Sequence, residues 1–146
     1  AVGVGCTILF HCDMVIASDK STFRVPFVDF GLVPDAATSI LAPQKLGYAG
    51  AFRFFCLGDT LGAEDARALG LVGEVVAQGS AEEAALARAR QLAKKPVAAL
   101  MQTRGLLKGD TDVLCDRIDH EISLFQQALQ DDTTLKRLQR IARLAA

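Results

Sequence analysis

Residues 23–39 read Phe-Arg-Val-Pro-Phe-Val-Asp-Phe-Gly-Leu-Val-Pro-Asp-Ala-Ala-Thr-Ser, and the rest of the chain can be interpreted outward from this stretch. An extended apolar segment leads to Gly31 and then to Pro34, whose fixed φ and missing N–H suit a turn or a first helical position. A helix is therefore predicted to begin there, with the carboxylate of Asp35 in its first turn. If that turn faces a pocket, Asp35 is placed as a catalytic base. The residues alone favour the more ordinary role, in which Asp35 caps the helix and complements its dipole.

Length and composition indicate one globular domain with a substantial core, since the chain has 146 residues, of which 51% are hydrophobic. The net charge of −1 argues against a nucleic-acid-binding surface, which would carry a basic excess. No apolar run approaches the length of a membrane span, so neither nucleic acid nor membrane is expected as a partner. The chain begins inside a glycine turn and without methionine, and we interpret it as a piece of a longer protein.

The four cysteines are predicted to be free thiols in a reducing compartment, because they lie in apolar or amphipathic stretches without CxxC spacing. They are Cys6, Cys12, Cys56 and Cys115. The run 11–13, His-Cys-Asp, resembles a metal cluster only in composition. Adjacent side chains diverge on a helix or a strand, so a structural role is expected for these three residues and no metal site.

Apolar periodicity predicts strands early in the chain and helices late. Residues 6–10 fit a buried helix or a buried strand. Strands are predicted at 14–17, 22–28 and 71–76, with a helix from Asp35 that breaks near Pro43 and further helices at 47–57 and 63–69. A capping box at 80–83 opens a helix to about 95, another starts at Pro96, and the stripe Leu114, Ile118, Ile122, Phe125, Leu129 predicts a helix from 112. The pattern predicts an α/β core over 1–78 and a helical region over 79–146.

The last predicted helix has two different faces. Leu135, Leu138, Ile141 and Leu144 form an apolar stripe, whereas Lys136, Arg137, Arg140 and Arg143 lie on the opposite, solvent-facing side.

Several segments together resemble the crotonase superfamily, the enoyl-CoA hydratase/isomerase family, and in particular its C-terminal part. Their order and spacing cover nearly the whole chain. They are Ala1-Val-Gly-Val-Gly-Cys-Thr, His11-Cys-Asp-Met-Val-Ile-Ala, the stretch from Phe23 to Asp35, Leu57-Gly-Asp-Thr-Leu-Gly-Ala-Glu-Asp-Ala, Gly70-Leu-Val and Lys95-Pro.

The resemblance implies a fold and a chemistry. The family fold is a spiral of ββα units followed by a helical region, usually assembled as a homotrimer or hexamer, and it binds acyl-CoA thioesters. Two backbone N–H groups form an oxyanion hole for the enolate made at the thioester carbonyl. One of these donors is implied to be Val4, flanked by Gly3 and Gly5, and the other belongs to a preceding half. Gly3, Gly5, Phe27 and Pro34 are expected to contact the substrate.

Departures from the family pattern narrow the expected reaction. The two glutamates with which hydratases of this family add water would fall at Thr7 and Phe27, and neither residue is an acid. The isomerase branch that resembles Δ3,Δ2-enoyl-CoA isomerase instead carries one acid directly after a proline, which here is Asp35. The resemblance therefore implies an isomerase of fatty-acid metabolism with Asp35 as its acid–base residue.

Other functions stay open from the sequence. They are another enolate chemistry on acyl-CoA (hydratase-like, thioester hydrolysis or C–C cleavage) and a crotonase-fold protein that binds acyl-CoA or assembles without catalysis. No cofactor or metal is expected, because coenzyme A is part of the substrate. Some cations of the last helix, such as Arg140 and Arg143, could face CoA phosphates. The expected location is the cytoplasm of a bacterium or, in a eukaryote, the peroxisome or mitochondrion.

Overall fold

The computed structural model describes residues 1–145, with side chains described through Arg143. Short strands and helices alternate in the first half, and helices alone follow. The helices are α1 (Val4–Thr7), α2 (Thr38–Cys56), α3 (Ala63–Ala68), α4 (Ala81–Ala93), α5 (Val97–Lys108), α6 (Asp112–Leu129) and α7 (Asp132–Ala145). The strands are β1 (Ile16–Ser18), β2 (Thr22–Phe23), β3 (Leu61–Gly62) and β4 (Glu74–Val76), and 3-10 turns span Ile8–His11 and Val28–Phe30. The predicted α/β core followed by a helical region is confirmed.

The strands form two small sheets. β1 pairs in parallel with β4, and β2 pairs antiparallel with β3. The chain start adds a short parallel pairing beside β2, in which the Arg24 N–H donates to the Ala1 carbonyl and the Gly3 N–H donates to the Arg24 carbonyl, both at 3.0 Å. This pairing fixes the glycine turn next to the segment that leads to Asp35.

The hydrophobic core is built by residues from the first half of the chain. Three phenylalanines interlock at its centre: the Phe10 and Phe55 rings lie 6.1 Å apart, and Phe54 meets Phe55 edge-on at 5.4 Å. Helices α6 and α7 reach this core through the partly buried residues Phe125, Ala128 and Leu138. The division into 1–78 and 79–146 stays a prediction.

The start of α2 differs from the prediction. The helix begins at Thr38 rather than at Pro34, because Ala36 and Ala37 adopt left-handed backbone conformations that no α-helix can include. It also continues through Pro43 and departs from helical geometry only at Gly47, whose φ of 68° favours glycine.

The strand predicted at 22–28 is also too long. It ends at Phe23, because the following chain turns inward: Val25 and Phe27 are buried, and the Phe27 carbonyl accepts hydrogen bonds from the N–H groups of Phe30 and Leu32. The strand predicted at 71–76 covers only 74–76. The capping box at Ser80 is wrong as well, since its side chain makes no capping hydrogen bond.

Helix α5 leaves most of its apolar side chains exposed. Leu106 and Leu107 are 86% and 83% exposed, and no residue of α5 is buried. Within the described range 1–145, none of the helices has the length and apolarity that crossing a bilayer requires.

Candidate active site

The glycine turn at the chain start presents backbone donors at the beginning of a helix. Gly3 has φ 57° and ψ −130°, a conformation that glycine adopts readily, and α1 follows directly. As the first residues of that helix, Val4 and Gly5 have N–H groups without partners inside it. A side chain built on Gly5 would meet no atom within 4 Å, so the space beside these donors is open.

The glycine turn and the segment that leads to Asp35 both continue from a short parallel pairing at the start of the chain. The chain start pairs in parallel with the segment ending at Arg24, so α1 and the residues after Arg24 both follow the carboxyl ends of parallel segments. Ligand sites in α/β folds are commonly built at such ends. A second link joins the two segments farther along, where His11 Nε2 lies 2.6 Å from the Ala36 carbonyl oxygen. Because a carbonyl only accepts, this histidine nitrogen carries the hydrogen.

Asp35 has an enclosed and unpartnered carboxyl oxygen. Its Oδ1 is buried and has no hydrogen-bond partner among the residues that the structure describes. Leaving a buried polar atom unpartnered costs about 1–3 kcal/mol, so such atoms are uncommon in native structures, and a catalytic role is one of the reasons for which they occur. The backbone around this carboxyl is well fixed, since the Asp35 carbonyl accepts hydrogen bonds from the Thr38 hydroxyl at 2.6 Å and the Thr38 N–H at 3.0 Å.

Two consecutive residues with positive φ follow the acid. Ala36 has φ 55° and Ala37 has φ 54°. A left-handed conformation costs an L-residue with a Cβ about 1–2 kcal/mol. Such strain persists only where the surrounding contacts determine it, and it concentrates at active sites.

The contact that holds this turn comes from α6. Glu121, which is only 4% exposed, accepts hydrogen bonds from the Ala37 N–H at 2.6 Å and from the Ser39 N–H at 3.2 Å, and a further one from the Ser39 hydroxyl. Glu121 therefore caps α2, and the interpretation of Asp35 as the cap is wrong. A signal for Glu121 existed in the sequence: it lies three residues after Ile118 and four before Phe125, on the apolar stripe of α6.

The two positions of the missing hydratase glutamates are buried. The Thr7 hydroxyl donates to the Val4 carbonyl at 3.4 Å, within α1. Phe27 is 7% exposed and belongs to the hydrophobic core, and Pro34 is half-buried. The structure thus places Gly3, Val4 and Gly5 in one turn at the chain start. The roles expected of these residues and of Phe27, Pro34 and Asp35 in catalysis and substrate contact stay predictions.

The run 11–13 has structural contacts. Asp13 pairs with Arg104 at 2.8 Å and with Lys108 at 3.3 Å, and the hydrogen bond from Arg104 lowers the pKa of its carboxyl. Lys45 donates to the Cys12 carbonyl, and burial lowers the pKa of its ammonium. Among the described side chains, no three or more potential metal ligands converge.

Only part of the apolar stripe described on α7 packs against the core. Leu138 packs against the core, Leu135 is 40% exposed, and the side chain of Leu144 lies outside the described residues. The opposite side carries a shallow depression lined by Lys136, Gln139, Arg140 and Arg143.

Comparison with known proteins identifies the family. The sequence profile described as Enoyl-CoA hydratase/isomerase matches residues 1–142. Enoyl-CoA delta isomerase 2 of Rattus norvegicus is 35% identical over 108 residues, which are 74% of this chain and 28% of that protein. The 4-chlorobenzoyl coenzyme A dehalogenase-1 of an Arthrobacter species is 30% identical over 127 residues, 84% of this chain and 45% of that protein.

A solved structure agrees with these sequence relatives. The enoyl-CoA hydratase/isomerase from Pseudoalteromonas atlantica T6c superposes with a TM-score of 0.93 at 33% identity, covering 98% of this chain and 58% of that one. The chain spans only about a fifth of the length of the first curated relatives that it matches. With a profile match over nearly its whole length, the chain belongs to the enoyl-CoA hydratase/isomerase family.

Proposed function

We propose that the protein binds acyl-CoA thioesters and isomerises 3-enoyl-CoA to 2-enoyl-CoA, with Asp35 as its single acid–base residue. The observation that carries this proposal is the enclosed, unpartnered Oδ1 of Asp35, on the segment that continues from Arg24, which pairs with the chain start. A buried carboxylate oxygen without a donor is available to accept a substrate proton. The isomerase relative supports the same chemistry.

The reaction needs only these groups. Asp35 removes the acidic C2 proton, the thioester oxygen takes up the negative charge of the dienolate, and the same carboxyl returns the proton to C4. The Val4 N–H, directed out of the first turn of α1, donates to that oxygen together with a second donor from outside this chain. A 1,3 proton shift on one face requires one carboxyl group, whereas hydration requires two to position a water. With Thr7 and Phe27 buried at the other two positions, no second carboxyl is available there.

The test is proton–deuterium exchange at C2 of a 3-enoyl-CoA, measured with the full-length protein. Asp35→Asn keeps the size of the side chain and removes the base, so exchange and kcat should fall by about 10²–10⁴. Asp29→Asn is the matched control, because Asp29 lies on the same segment but forms an exposed pair with Arg24. Exchange at the wild-type rate in Asp35→Asn would assign the base to another residue.

A second candidate function is dehalogenation of an aryl-CoA. It is favoured by the dehalogenase relative, which matches a larger share of this chain than the isomerase relative does. An unpaired carboxylate can also act as a nucleophile. Asp35 would attack the halogen-bearing ring carbon of an aryl-CoA and expel halide, and water would then hydrolyse the aspartyl ester at its acyl carbon. A single turnover in ¹⁸O-labelled water would place ¹⁸O in Asp35 and leave the product hydroxyl unlabelled. The isomerase mechanism leaves Asp35 unlabelled.

The remaining alternative is acyl-CoA binding without catalysis. It predicts that the full-length protein turns over neither 3-enoyl-CoA nor aryl-CoA but still binds an acyl-CoA in a calorimetric titration.

A further inference from the structure

We infer that Glu121 is a positioning residue for Asp35: its carboxylate holds the left-handed turn at 36–37 and thereby aims the carboxyl group of Asp35. This inference rests on the proposed function, in which Asp35 is the acid–base residue. It assigns to the C-terminal helical region a direct part in assembling the site, although Glu121 is separated from Ala37 by 84 positions.

Among the described residues, the hydrogen bonds of the Glu121 side chain all go to residues that follow Asp35. Oε2 accepts from the Ala37 N–H at 2.6 Å, while Oε1 accepts from the Ser39 N–H and the Ser39 hydroxyl. Among the described residues Glu121 has no salt-bridge partner; the nearest cation on the same helix, Arg117, reaches the Ser39 hydroxyl at 3.5 Å. A buried carboxylate is unfavourable without hydrogen-bond donors. The hydrogen bonds from Ala37 and Ser39 therefore stabilise the buried Glu121 side chain as well as the turn.

The turn needs an external hold because of its conformation. Alanine does not favour positive φ, and here two alanines in succession adopt it. Three contacts fix the turn from different elements: His11 at the Ala36 carbonyl, Thr38 at the Asp35 carbonyl, and Glu121 at the Ala37 N–H. The Glu121 contact comes from a carboxyl group at the start of α2, which is the favourable end of the helix dipole for such a group.

The kinetic test compares variants of the full-length protein. Glu121→Gln keeps the shape but loses the charge and one acceptor, so the turn should relax and the carboxyl of Asp35 should lose its alignment. Because a displacement of about 1 Å can lower a rate about 100-fold, kcat should fall by about 10- to 100-fold while KM changes less than about twofold. Asp119→Asn is the matched control, since it makes the same chemical change at an exposed position of the same helix. An unchanged kcat in Glu121→Gln would overturn the inference.

Rescue separates positioning from a general loss of structure. Glycine adopts positive φ without steric cost, so adding Ala37→Gly to Glu121→Gln should recover several-fold of the lost kcat. A variant that had merely lost helix packing would not respond, and absence of recovery would count against the inference. If Glu121→Gln does not fold, Ser39→Ala can be used instead, because it removes only the hydroxyl from which Glu121 accepts a hydrogen bond. It should lower kcat by a smaller factor, again with little change in KM.

A structural measurement distinguishes this inference from the proposed function. Amide hydrogen exchange at Ala37 and Ser39 should speed up in Glu121→Gln whatever reaction the protein catalyses. If Asp35→Asn retains activity, the proposed function fails, and these amides still decide whether Glu121 holds the turn. If Asp35→Asn is inactive while Glu121→Gln has normal kcat and normal amide protection, the proposed function stands and the positioning role is wrong.

Discussion

At the residue scale, the length of the acidic side chain at position 35 controls how far the base reaches. Asp is shorter than Glu by one C–C bond, roughly 1.5 Å, and a proton acceptor must come within hydrogen-bond distance of C2. Under the proposed isomerase function, Asp35→Glu should hold or raise kcat with 3-enoyl-CoA. Asp29→Glu, with the same change at an exposed neighbour, should alter nothing. A fall to the level of Asp35→Asn would show that the site is shaped for the shorter acid.

Cys6 gives a prediction on stability, because burial raises the pKa of its thiol from 9.0 to about 11. The folded protein then keeps this proton where the unfolded chain releases it, so the stabilisation is complete below pH 9 and is lost between pH 9 and 11. The loss should be about 2–3 kcal/mol. Urea unfolding of wild type and Cys6→Ala at pH 8 and pH 10.5 isolates this contribution. A difference between the two proteins that does not change with pH would contradict it.

Sequence reasoning singled out Asp35 as a candidate acid but not the contact that holds the turn after it. Asp35 could be singled out because Pro34 and Asp35 are adjacent in the chain and match an isomerase pattern. The hydrogen bond from the Ala37 N–H to Glu121 could not be predicted, since it joins residues 84 positions apart and depends on how α6 packs. The left-handed pair was equally hidden, because alanine has no local preference for positive φ.

At the element scale, α7 docks on the 3-10 turn that precedes Asp35. Gly31 has φ 78°, and a Cβ there would lie 2.7 Å from the Thr134 hydroxyl oxygen, which is buried. Gly31→Ala should therefore lower the free energy of unfolding by about 1–3 kcal/mol through backbone strain and overlap together.

Two further variants separate these causes in urea unfolding. Gly79→Ala has a similar φ of 87° but no atom within 4 Å, so it reports the backbone cost alone. Thr134→Ala should recover part of the loss when combined with Gly31→Ala. Equal losses for Gly31→Ala and Gly79→Ala would show that α7 yields to the added methyl group.

Regular helices were the elements best predicted from sequence. Helices α4, α5 and α6 begin within about one residue of the expected positions, and α4 ends within about two residues of its expected end, because apolar stripes and flanking residues are local signals. The short strands and the start of α2 were misplaced. Their limits are set by which side chains the core buries, such as Val25 and Phe27, and by a cap from another helix.

At the scale of the whole molecule, this chain spans 58% of the solved structure that it matches. Under the proposed function, we expect one oxyanion donor and much of the CoA site to lie outside residues 1–146. We therefore predict that purified residues 1–146 turn over acyl-CoA at least about 10²–10³ more slowly than the full-length protein. Single-turnover assays at matched concentration test this, with circular dichroism as a control for folding. Turnover equal to that of the full-length protein would contradict it.

The fold class followed from the sequence for two reasons. Early strands and late helices indicated an α/β core with a helical region, and the ordered family segments supplied the topology that periodicity could not. Assembly as a trimer or hexamer stays a prediction. Analytical ultracentrifugation of the full-length protein would test it.

The left-handed backbone conformation of Ala36 and Ala37 also limits which substitutions these two positions can accept during evolution. Branched side chains at either position would add torsional restriction to a conformation already unfavourable for alanine. Glycine would be accepted at both positions, and asparagine only at 36, because Ala37 is fully buried. A saturation-mutagenesis library should therefore show two adjacent positions with narrow tolerance, set by backbone shape rather than by chemistry. Under the proposed function, the left-handed turn is maintained because it aims the carboxyl group of Asp35. In homologues that have lost this acid, we therefore expect a wider range of residues at positions 36 and 37.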